Sequence, residues 1–475
     1  MKKEIIVNRA SDEIRVAIME DGRLVDLFME RRESEKIVGN IYKGRVVSIL
    51  PGLSSAFVDA GLDKNIYLSM GDIVTEEKGK NIEKMITKGQ EILIQVTKEP
   101  ISTKGAKGTM DISLPGRLLV YMPFDKHVGV SKNISSREEC DRLKKIIEEK
   151  KDESAGGFIA RTEAEGATDK EIRREMKYLA RLWDSINQRT KKAKTPSLLH
   201  RDLGIVFQTV RDFFNEETDI FLIDSQEEYN EVLGFVKIVS PELSEKVHRH
   251  TGKTSIFKAY GAEEQIKKLS SNHVNLPSGG YIIIQEAESL CAIDVNTGRF
   301  KGKQSQEETV TKTNIEAACE IAKEIRLRNI GGIIVIDFID MRSSKNRQRV
   351  LETLKLATKG DKAKIKIWPI TKLGLIEMTR ERKRESLLSL LGEKCPMCNG
   401  SGLVASKESL FLNINNELSH LKLSRHSGKV RLKLNPKVAA YFNERLQRLK
   451  KSVGAEIEIQ TGNDISWEDY QIIVE

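Results

Sequence analysis

The sequence has few of the residues that mark secreted or membrane proteins. It contains 5 cysteines and 10 prolines among 475 residues, and aromatic side chains make up only 5%. Such an odd and sparse cysteine set argues against a secreted disulfide framework. No apolar run approaches the roughly 18 residues that a membrane-spanning helix requires, and the N-terminus lacks the apolar region of a signal peptide. We therefore expect a cytoplasmic protein without a membrane span.

Charge of both signs is abundant instead. Charged residues make up 31% of the chain and apolar residues 39%, proportions typical of a globular protein that is long enough for several domains. The formal net charge of +9 and the isoelectric point near 9.0 favour a polyanionic partner. A surface of mixed charge can also serve only to keep a protein solvated.

Two apolar segments each carry a single aspartate near their ends. Strand alternation over 290–300 places Asp294 and Asn296 on one side, and the segment 333–339 presents Asp337 in the same way, 43 residues after Asp294. A helix-length segment separates them, so a strand, a crossover helix and a second strand would bring the carboxylates to one sheet edge. Two such groups suit a hard divalent cation. Asn296 could support this site or bind the metal through water.

Residues 39–121 contain short strands separated by turn signals, which is typical of a small β-barrel of OB type. Aromatic rings beside cations on such a barrel stack the bases of single-stranded nucleic acid, and Phe57 and Tyr67 are candidates. The alternative is a place in the barrel core, which the pattern favours for Tyr42 and leaves undecided for the other two rings. The neighbouring cations are Lys43, Arg45, Lys98, Lys104 and Lys107.

The N-terminal segment needs further strands to complete a sheet. Residues 3–30 predict an antiparallel meander that is too short to be a domain, so we expect it to complete its sheet with an α+β stretch that follows residue 203. Residues 203–207 predict a strand at the start of that stretch.

A short strand over 157–162 ends in Arg161 and Thr162, which together could bind a phosphate. The alternative is a surface ion pair of Arg161 with Glu163 or Glu165, and the residues alone favour it.

Cys395 and Cys398 form a CxxC turn followed by glycines, which is half of a zinc knuckle. Structural zinc takes four ligands, and neither a second CxxC nor a histidine at convincing spacing accompanies this one. The sequence therefore predicts a homodimer whose two copies share one zinc. The alternatives are a redox pair or two thiols without a role.

Residues 404–475 predict a small α/β domain with helices over 407–424 and 436–451 and strands at 429–434 and 456–459.

Several motifs together resemble those of one known family. The motifs are Ala292–Phe300, Gly331–Met341, Gly374–Arg380 and Cys395–Gly402. Through these motifs the chain resembles the ribonuclease E/G family of bacterial endoribonucleases over nearly all of residues 1–403 and in its small C-terminal domain.

The resemblance implies a multidomain α+β fold with an inserted barrel. The expected parts are a discontinuous ribonuclease H-like domain (1–35 and 206–270), an OB-fold RNA-binding domain (36–125), a 5′-sensor domain (126–205), a deoxyribonuclease I-like catalytic domain (271–391), a zinc-link (392–403) and a small α/β C-terminal domain (404–475).

The resemblance also implies an activity and its residues. The activity is magnesium-dependent hydrolysis of single-stranded RNA to 5′-phosphate and 3′-hydroxyl ends, favouring 5′-monophosphorylated substrates, in rRNA maturation and mRNA decay. Asp294 and Asp337 match the magnesium ligands and Asn296 a supporting catalytic residue. Cys395 and Cys398 match the ligands of the shared zinc. The RNA-binding positions are Phe57, Tyr67, Lys104 and Lys364, and the 5′-phosphate pocket is Gly116, Val120, Lys132, Arg161 and Thr162.

This resemblance reverses the preference for an ion pair at Arg161. Lys132 and Lys364 stand where ribonuclease E has arginines, and a lysine keeps the charge without the bidentate fork. The rival hypothesis from another class is a non-catalytic RNA-binding scaffold, against which the intact metal motif argues. Neither the physiological RNAs nor protein partners follow from the sequence.

Overall fold

The chain forms two compact units, Met1–Leu387 and Leu388–Glu475. The computed structural model describes residues 2–31, 37–75, 81–100, 105–150, 156–298, 306–382, 384–420 and 429–474. Within these ranges, no helix combines the length and the apolar character that crossing a membrane requires.

The first unit begins with the antiparallel meander that the sequence predicts. Asp21 and Gly22 both have positive φ, at 48° and 77°, which a tight two-residue hairpin turn requires and which glycine adopts without strain. Residues such as Ile5, Ile18 and Val16 are fully buried. The strands are β1 (Lys3–Arg9), β2 (Glu13–Glu20) and β3 (Arg23–Arg31).

The next five strands close into a barrel, as the turn-rich segment predicts. The first of them pairs with both the second and the fourth, and the third and fifth pair in parallel, an arrangement that fits an OB-type barrel. The inward positions are buried and apolar, for example Ala56, Val58, Ile66 and Leu68. The strands are β4 (Ile41–Leu50), β5 (Ser55–Asp59), β6 (Ile66–Ser69), β7 (Glu91–Lys98) and β8 (Lys107–Thr109).

A second small sheet and two helices follow the barrel. The long helix starts at a capping box, in which Thr168 accepts from the Glu171 amide and the Glu171 side chain accepts from the Thr168 amide. The sheet order is β11-β12-β10-β9, and β13 extends the barrel sheet beside β4. The elements are β9 (Leu114–Pro115), β10 (Leu119–Met122), β11 (Val128–Val130), α1 (Arg137–Lys150), β12 (Gly157–Ala160), α2 (Asp169–Lys192) and β13 (Ser197–His200).

The chain then returns to the N-terminal sheet. Strand β14 pairs in parallel with β1, which gives the order β15-β14-β1-β2-β3 and confirms that a later segment completes the meander. The strand predicted over 203–207 was wrong, because Ile205, Val206, Thr209 and Val210 are the buried face of a helix. The elements are α3 (Ile205–Phe213), β14 (Ile220–Ile223), α4 (Gln226–Val239), β15 (Val247–Arg249), α5 (Ile256–Ala259) and α6 (Ala262–Lys268).

The last sheet of the first unit contains both predicted aspartate strands. Its order is β16-β17-β18-β19-β21-β20, and β18 and β19 run parallel on either side of the crossover helix α7. Helices α7 and α8 cover one face, where Ile293, Ile336, Ile321 and Val350 join one buried core. The elements are β16 (His273–Asn275), β17 (Tyr281–Glu286), β18 (Leu290–Asn296), α7 (Gln306–Leu327), β19 (Gly332–Asp337), α8 (Ser344–Ala357), β20 (Ile365–Ile367) and β21 (Leu375–Arg380). Helix α9 (Leu387–Leu391) begins at the last residue of this unit.

The second unit contains a three-stranded sheet with order β23-β22-β24. Val430, Leu432 and Leu434 alternate into a core of their own. The helix predicted over 436–451 is two helices, because Arg445 leaves helical geometry at φ −112° and ψ 8°. The last strand has no counterpart in the prediction. The elements are α10 (Lys407–His420), β22 (Lys429–Leu434), α11 (Pro436–Glu444), α12 (Leu446–Val453), β23 (Glu456–Thr461) and β24 (Tyr470–Val474).

Candidate active site

The two predicted aspartates lie side by side. Asp294 of β18 and Asp337 of β19 are direct partners in the parallel register, and neighbouring strands are about 4.8 Å apart, so the side chains leave the same face of the sheet. That face is the one away from α7 and α8, and both aspartates are exposed on it. Within the described part of the chain, neither carboxylate forms an ion pair with a lysine, arginine or histidine.

This pair carries an electrostatic cost that a cation would remove. Partial burial, together with the negative charges of Asp294 and Asp340, raises the pKa of Asp337. Asp340 is a nearby carboxylate that the sequence reasoning did not assign, although it stands three residues after Asp337 in the same motif. Unpaired carboxylates in close register are the environment in which a bound cation stabilises both charges.

The donor set fits magnesium. Magnesium is commonly bound through one or two carboxylates and keeps several positions for water and phosphate oxygens. The described residues include no group of three or more histidine, cysteine, aspartate or glutamate side chains placed to hold a metal. A closed structural site is therefore not formed there, whereas an open two-carboxylate site at Asp294 and Asp337 has the composition that magnesium accepts.

Asn296 contacts the pair directly. Its Nδ2 donates a hydrogen bond of 2.7 Å to Oδ2 of Asp294, and the asparagine itself is half-buried. One carboxylate oxygen of Asp294 is thereby oriented, while the other is left for a ligand. Of the two roles considered for Asn296, this contact favours the supporting one.

Buried polar side chains fix the ends of these strands. Asn314 of α7 is fully buried; its Nδ2 donates to the Ile339 carbonyl at 2.8 Å and its Oδ1 accepts from the Ile339 amide at 3.1 Å. At the other end of β19, Arg380 pairs with Asp361 at 2.7 Å and donates to the Ile330 carbonyl at 3.0 Å. The backbone around Asp337 is thus held from both sides of the strand, which limits its freedom to move.

The barrel presents two aromatic rings on its outer surface. Phe57 and Tyr67 are cross-strand partners, half-buried, with ring centroids 5.9 Å apart at 72°. Tyr42, by contrast, is 5% exposed within the barrel core, as the pattern favoured. The two outer rings have accessible surface on which a base could stack.

Several cations of the barrel are already paired. Lys43 and Arg45 both reach Glu91, at 3.1 and 3.0 Å, and Lys107 pairs with Asp72 at 2.8 Å. These pairs lower the positive charge that the sequence attributed to the barrel, and Lys98 stays exposed. Lys104 lies outside the described residues.

Lys364 is exposed just before β20, beside the sheet that carries the aspartates. It lines an open depression together with Ile333, Lys366, Thr379 and Glu381. Its side chain is therefore accessible to a ligand that lies on this part of the sheet.

The five residues of the predicted phosphate pocket lie in or beside the strands β9 to β12. Val120 pairs with Ile159, and Arg161 and Thr162 directly follow β12. The Thr162 hydroxyl lies 3.1 Å from Oγ of Ser131, next to the exposed Lys132. The Arg161 guanidinium donates from Nη1 to the Gly116 carbonyl at 2.6 Å.

The main ion-pair partner of Arg161 was not foreseen. Its Nη2 donates to Oδ1 of Asp212 at 2.9 Å, whereas the predicted partner Glu163 lies 3.8 Å from Nε. Asp212 belongs to the last turn of α3, 51 residues further along the chain. Its position in an amphipathic segment gives no signal of this contact, because only the tertiary fold brings α3 beside β12.

The cysteine turn lies in the second unit. Cys395 is exposed and Cys398 half-buried, and the turn is closed by the Asn399 and Ser401 amides, which donate to the carbonyls of Cys395 and Cys398. Backbone N–H groups of Gly402 and Gly400 lower the pKa of the Cys398 thiol, which favours the thiolate that zinc binds. All five cysteines of the chain are free thiols.

Comparison with known proteins defines the class to which this fold and site belong. A family model described as the Ribonuclease E/G family matches residues 113–383, which include the predicted phosphate pocket and the aspartate pair. A second model, described as the RNase E/G thioredoxin-like domain, matches residues 394–475. The chain belongs to the ribonuclease E/G family, as its motifs predicted.

Curated relatives narrow the similarity further. The chain is 41% identical over 487 residues to Ribonuclease G of Haemophilus influenzae, covering 99% of each protein. It is 40% identical to Ribonuclease G of Escherichia coli K12, over 98% of this chain and 96% of the relative. Ribonuclease E of Escherichia coli K12 is 33% identical over 93% of this chain, which spans 42% of that longer protein.

Proposed function

We propose that this protein is a magnesium-dependent endoribonuclease that cleaves single-stranded RNA and favours a 5′-monophosphorylated end. As a member of its family the chain is an endoribonuclease, a hydrolase that acts on RNA. The observation that carries the metal-dependent mechanism is the register of Asp294 with Asp337. We extend the proposal to rRNA maturation and mRNA decay, and to the domain boundaries that the sequence resemblance implies.

The two aspartates would hold the magnesium ion, and Asn296 would keep one oxygen of Asp294 in place through its hydrogen bond. Magnesium, when bound, supplies positive charge to a phosphate oxygen of the scissile bond and acidity to a water molecule. The products are a 5′-phosphate and a 3′-hydroxyl. The exposed face of the sheet leaves room for the RNA backbone, and the strand ends held by Asn314 and Arg380 keep the carboxylates in one geometry.

The RNA strand itself would be held at two other places. Phe57 and Tyr67 would stack bases on the barrel, with Lys104 beside them, and Lys364 would contact the backbone near the sheet. The terminal phosphate would bind at Arg161 and Thr162, with Lys132 adding charge and Gly116 and Val120 shaping the pocket.

A short single-stranded RNA with a 5′-monophosphate tests the function directly. Incubation with the protein and magnesium is expected to give fragments with 5′-phosphate and 3′-hydroxyl ends, and chelation of the metal is expected to stop cleavage. The same RNA with a 5′-hydroxyl is expected to be cut more slowly. Binding without cleavage in the presence of magnesium would instead indicate the non-catalytic scaffold.

The zinc and the dimer form a separate part of the proposal. We infer that Cys395 and Cys398 supply half of a zinc site that a second copy of the chain completes. Replacing both with serine is expected to remove zinc and convert dimers to monomers, measured by metal analysis and light scattering. Cys140→Ser is the matched control, since that thiol is half-buried in the first unit. A double variant that stays dimeric and keeps its zinc would rule out the shared site.

A further inference from the structure

Two contacts, one to a backbone carbonyl and one to a carboxylate, hold the Arg161 guanidinium in place. The guanidinium is anchored at Nη1 by the Gly116 carbonyl and at Nη2 by the Asp212 carboxylate. Its side chain keeps 23% exposure, so part of the guanidinium stays accessible. A free arginine side chain loses rotamer entropy when a ligand fixes it, and here that ordering precedes ligand binding.

Asp212 is itself held rigidly. Arg211 donates to it side-on, from Nε at 3.0 Å and from Nη2 at 2.9 Å. Burial alone would raise the pKa of Asp212, but the hydrogen bonds and charges of Arg211 and Arg161 outweigh burial and lower the pKa to about 2. The carboxylate is therefore charged in neutral solution and fixed by a second arginine, so it presents a stationary anchor to Arg161.

The other anchor depends on Glu175 of α2. This carboxylate is only 2% exposed and accepts the backbone N–H groups of Arg117 and Leu118, the second at 2.7 Å. A side chain at Gly116 would overlap the Glu175 carboxylate, so the glycine is required where the turn approaches α2. Glu175 thereby sets the turn whose Gly116 carbonyl accepts from Arg161.

We infer that Asp212 and Glu175 are positioning residues that aim Arg161 at a terminal phosphate and so set the preference for 5′-monophosphorylated RNA. The inference rests on the proposed function and names what enforces that preference. Neither carboxylate touches the RNA in this account. Each acts through Arg161, because a guanidinium held on two sides offers its remaining N–H groups in one direction, beside the exposed Thr162 hydroxyl.

A competing role for Asp212 predicts the opposite result. If Asp212 occupied Arg161 as a substitute for phosphate, removing its charge would free the guanidinium and increase the preference. The side-on pair with Arg211 argues against that role, because it restrains Asp212 from moving away when a phosphate arrives.

The test uses the full-length protein and two RNAs that differ only in a 5′-monophosphate or a 5′-hydroxyl. The measured quantity is the ratio of kcat/KM for the first RNA to that for the second. Asp212→Asn is expected to lower the wild-type ratio on the order of tenfold. A general defect of folding slows both reactions alike and leaves the ratio unchanged. Glu217→Gln, which removes an exposed charge just after α3, is the matched control and is expected to keep the ratio.

A double-mutant cycle shows whether Asp212 acts through Arg161. Arg161→Gln is expected to bring the ratio close to one, and adding Asp212→Asn to it is expected to lower the ratio no further. Glu175→Gln gives an independent test if the Asp212 variant does not fold, and is also expected to lower the ratio.

The outcomes distinguish a failure of the proposed 5′ preference from a failure of the positioning role alone. A wild-type ratio of one contradicts the proposed 5′ preference and this inference with it. A wild-type ratio well above one that Asp212→Asn and Glu175→Gln leave unchanged, or increase, overturns the positioning role alone.

Discussion

The charges of the aspartate pair and of the proposed phosphate pocket are arranged in opposite ways. Asp294 and Asp337 are exposed like charges in register, without an ion pair among the described residues. Arg161 lies in a network where each charged group has a protein partner at hydrogen-bond distance. The first site has unbalanced negative charge that a bound cation would neutralise, whereas the charges of the second are already balanced by protein groups. A change at the first should cost function and spare the fold, whereas a change at the second should cost both.

The largest effect is expected at the exposed pair. Asp294→Asn removes one of the two proposed metal ligands, so cleavage of 5′-monophosphorylated RNA should fall about a thousandfold or more, since a bound metal contributes several kcal/mol to the transition state. RNA affinity should change little. Because the variant removes the repulsion between two like charges, its thermal midpoint should be no lower than that of the wild type. Rates, a gel-shift titration and thermal unfolding measure the three quantities.

Glu286→Gln is the matched control for this variant, because Glu286 is an exposed carboxylate at the opposite end of the neighbouring strand β17. It is expected to cleave RNA as the wild type does. Cleavage retained by Asp294→Asn would rule out the two-aspartate mechanism.

The buried carboxylate of Glu175, which supports the turn beside Arg161, predicts a pH effect on stability. Burial raises the pKa of Glu175 from an ordinary value of 4.5 to about 7, although N–H donors from Leu118 and Arg117 and the charges of Arg117 and Arg161 act against the shift. The folded protein therefore binds a proton that the unfolded chain has released between these pH values. The stability linked to this proton is present below pH 4.5 and is lost as pH rises through about 7, by about 3 kcal/mol in the free energy of unfolding.

Glu175→Gln removes this titration and keeps the shape of the side chain. Between pH 5 and pH 8, the wild type is expected to lose thermal stability relative to the variant, measured by scanning calorimetry across the range. Glu171→Gln, in the half-buried N3 position of the capping box on the same helix, is expected to keep the wild-type pH profile over this range. Parallel pH profiles for the wild type and Glu175→Gln would refute the assignment.

The smallest effect is expected on the barrel, where the proposed contact is stacking on an uncharged ring. Phe57→Ala removes a half-exposed ring that contacts Tyr67, and loss of one stacked base weakens RNA binding by about 1–3 kcal/mol. Fluorescence anisotropy with a labelled single-stranded RNA measures the affinity. Leu356→Ala is the control, because Leu356 is 71% exposed on α8 and outside the proposed RNA path. Equal affinities for both variants would place the ring outside the RNA-binding surface.

The contrast between the aspartate pair and the network around Arg161 also explains which features could be predicted from the sequence. Asp294 and Asp337 stood out because a lone carboxylate interrupts each apolar strand, and the crossover rule brought the strands together. The alternation of the barrel strands likewise placed Tyr42 inside. Local pattern is sufficient for such features because strand period and burial are encoded in neighbouring residues.

Features that depend on distant contacts were missed. Asp212 and Glu175 looked like ordinary charged positions on helices, and only packing of α3 and α2 against the turn at Gly116 gives them partners. The strand predicted over 203–207 became α3 because its apolar residues continue with helical spacing beyond the short segment considered. The strand β24 follows an irregular stretch and pairs with β22, where Leu434 lies opposite Tyr470 and Val430 lies opposite Val474.

The most direct test of the account is the number of divalent cations that the aspartate pair holds. Manganese accepts the same oxygen ligands as magnesium and can be counted by electron paramagnetic resonance in the absence of RNA. The wild type is expected to bind one more manganese ion per chain than a variant with Asp294→Asn and Asp337→Asn, while Glu286→Gln keeps the wild-type number. Equal numbers for the wild type and the double variant would contradict the assignment of this pair as the metal site.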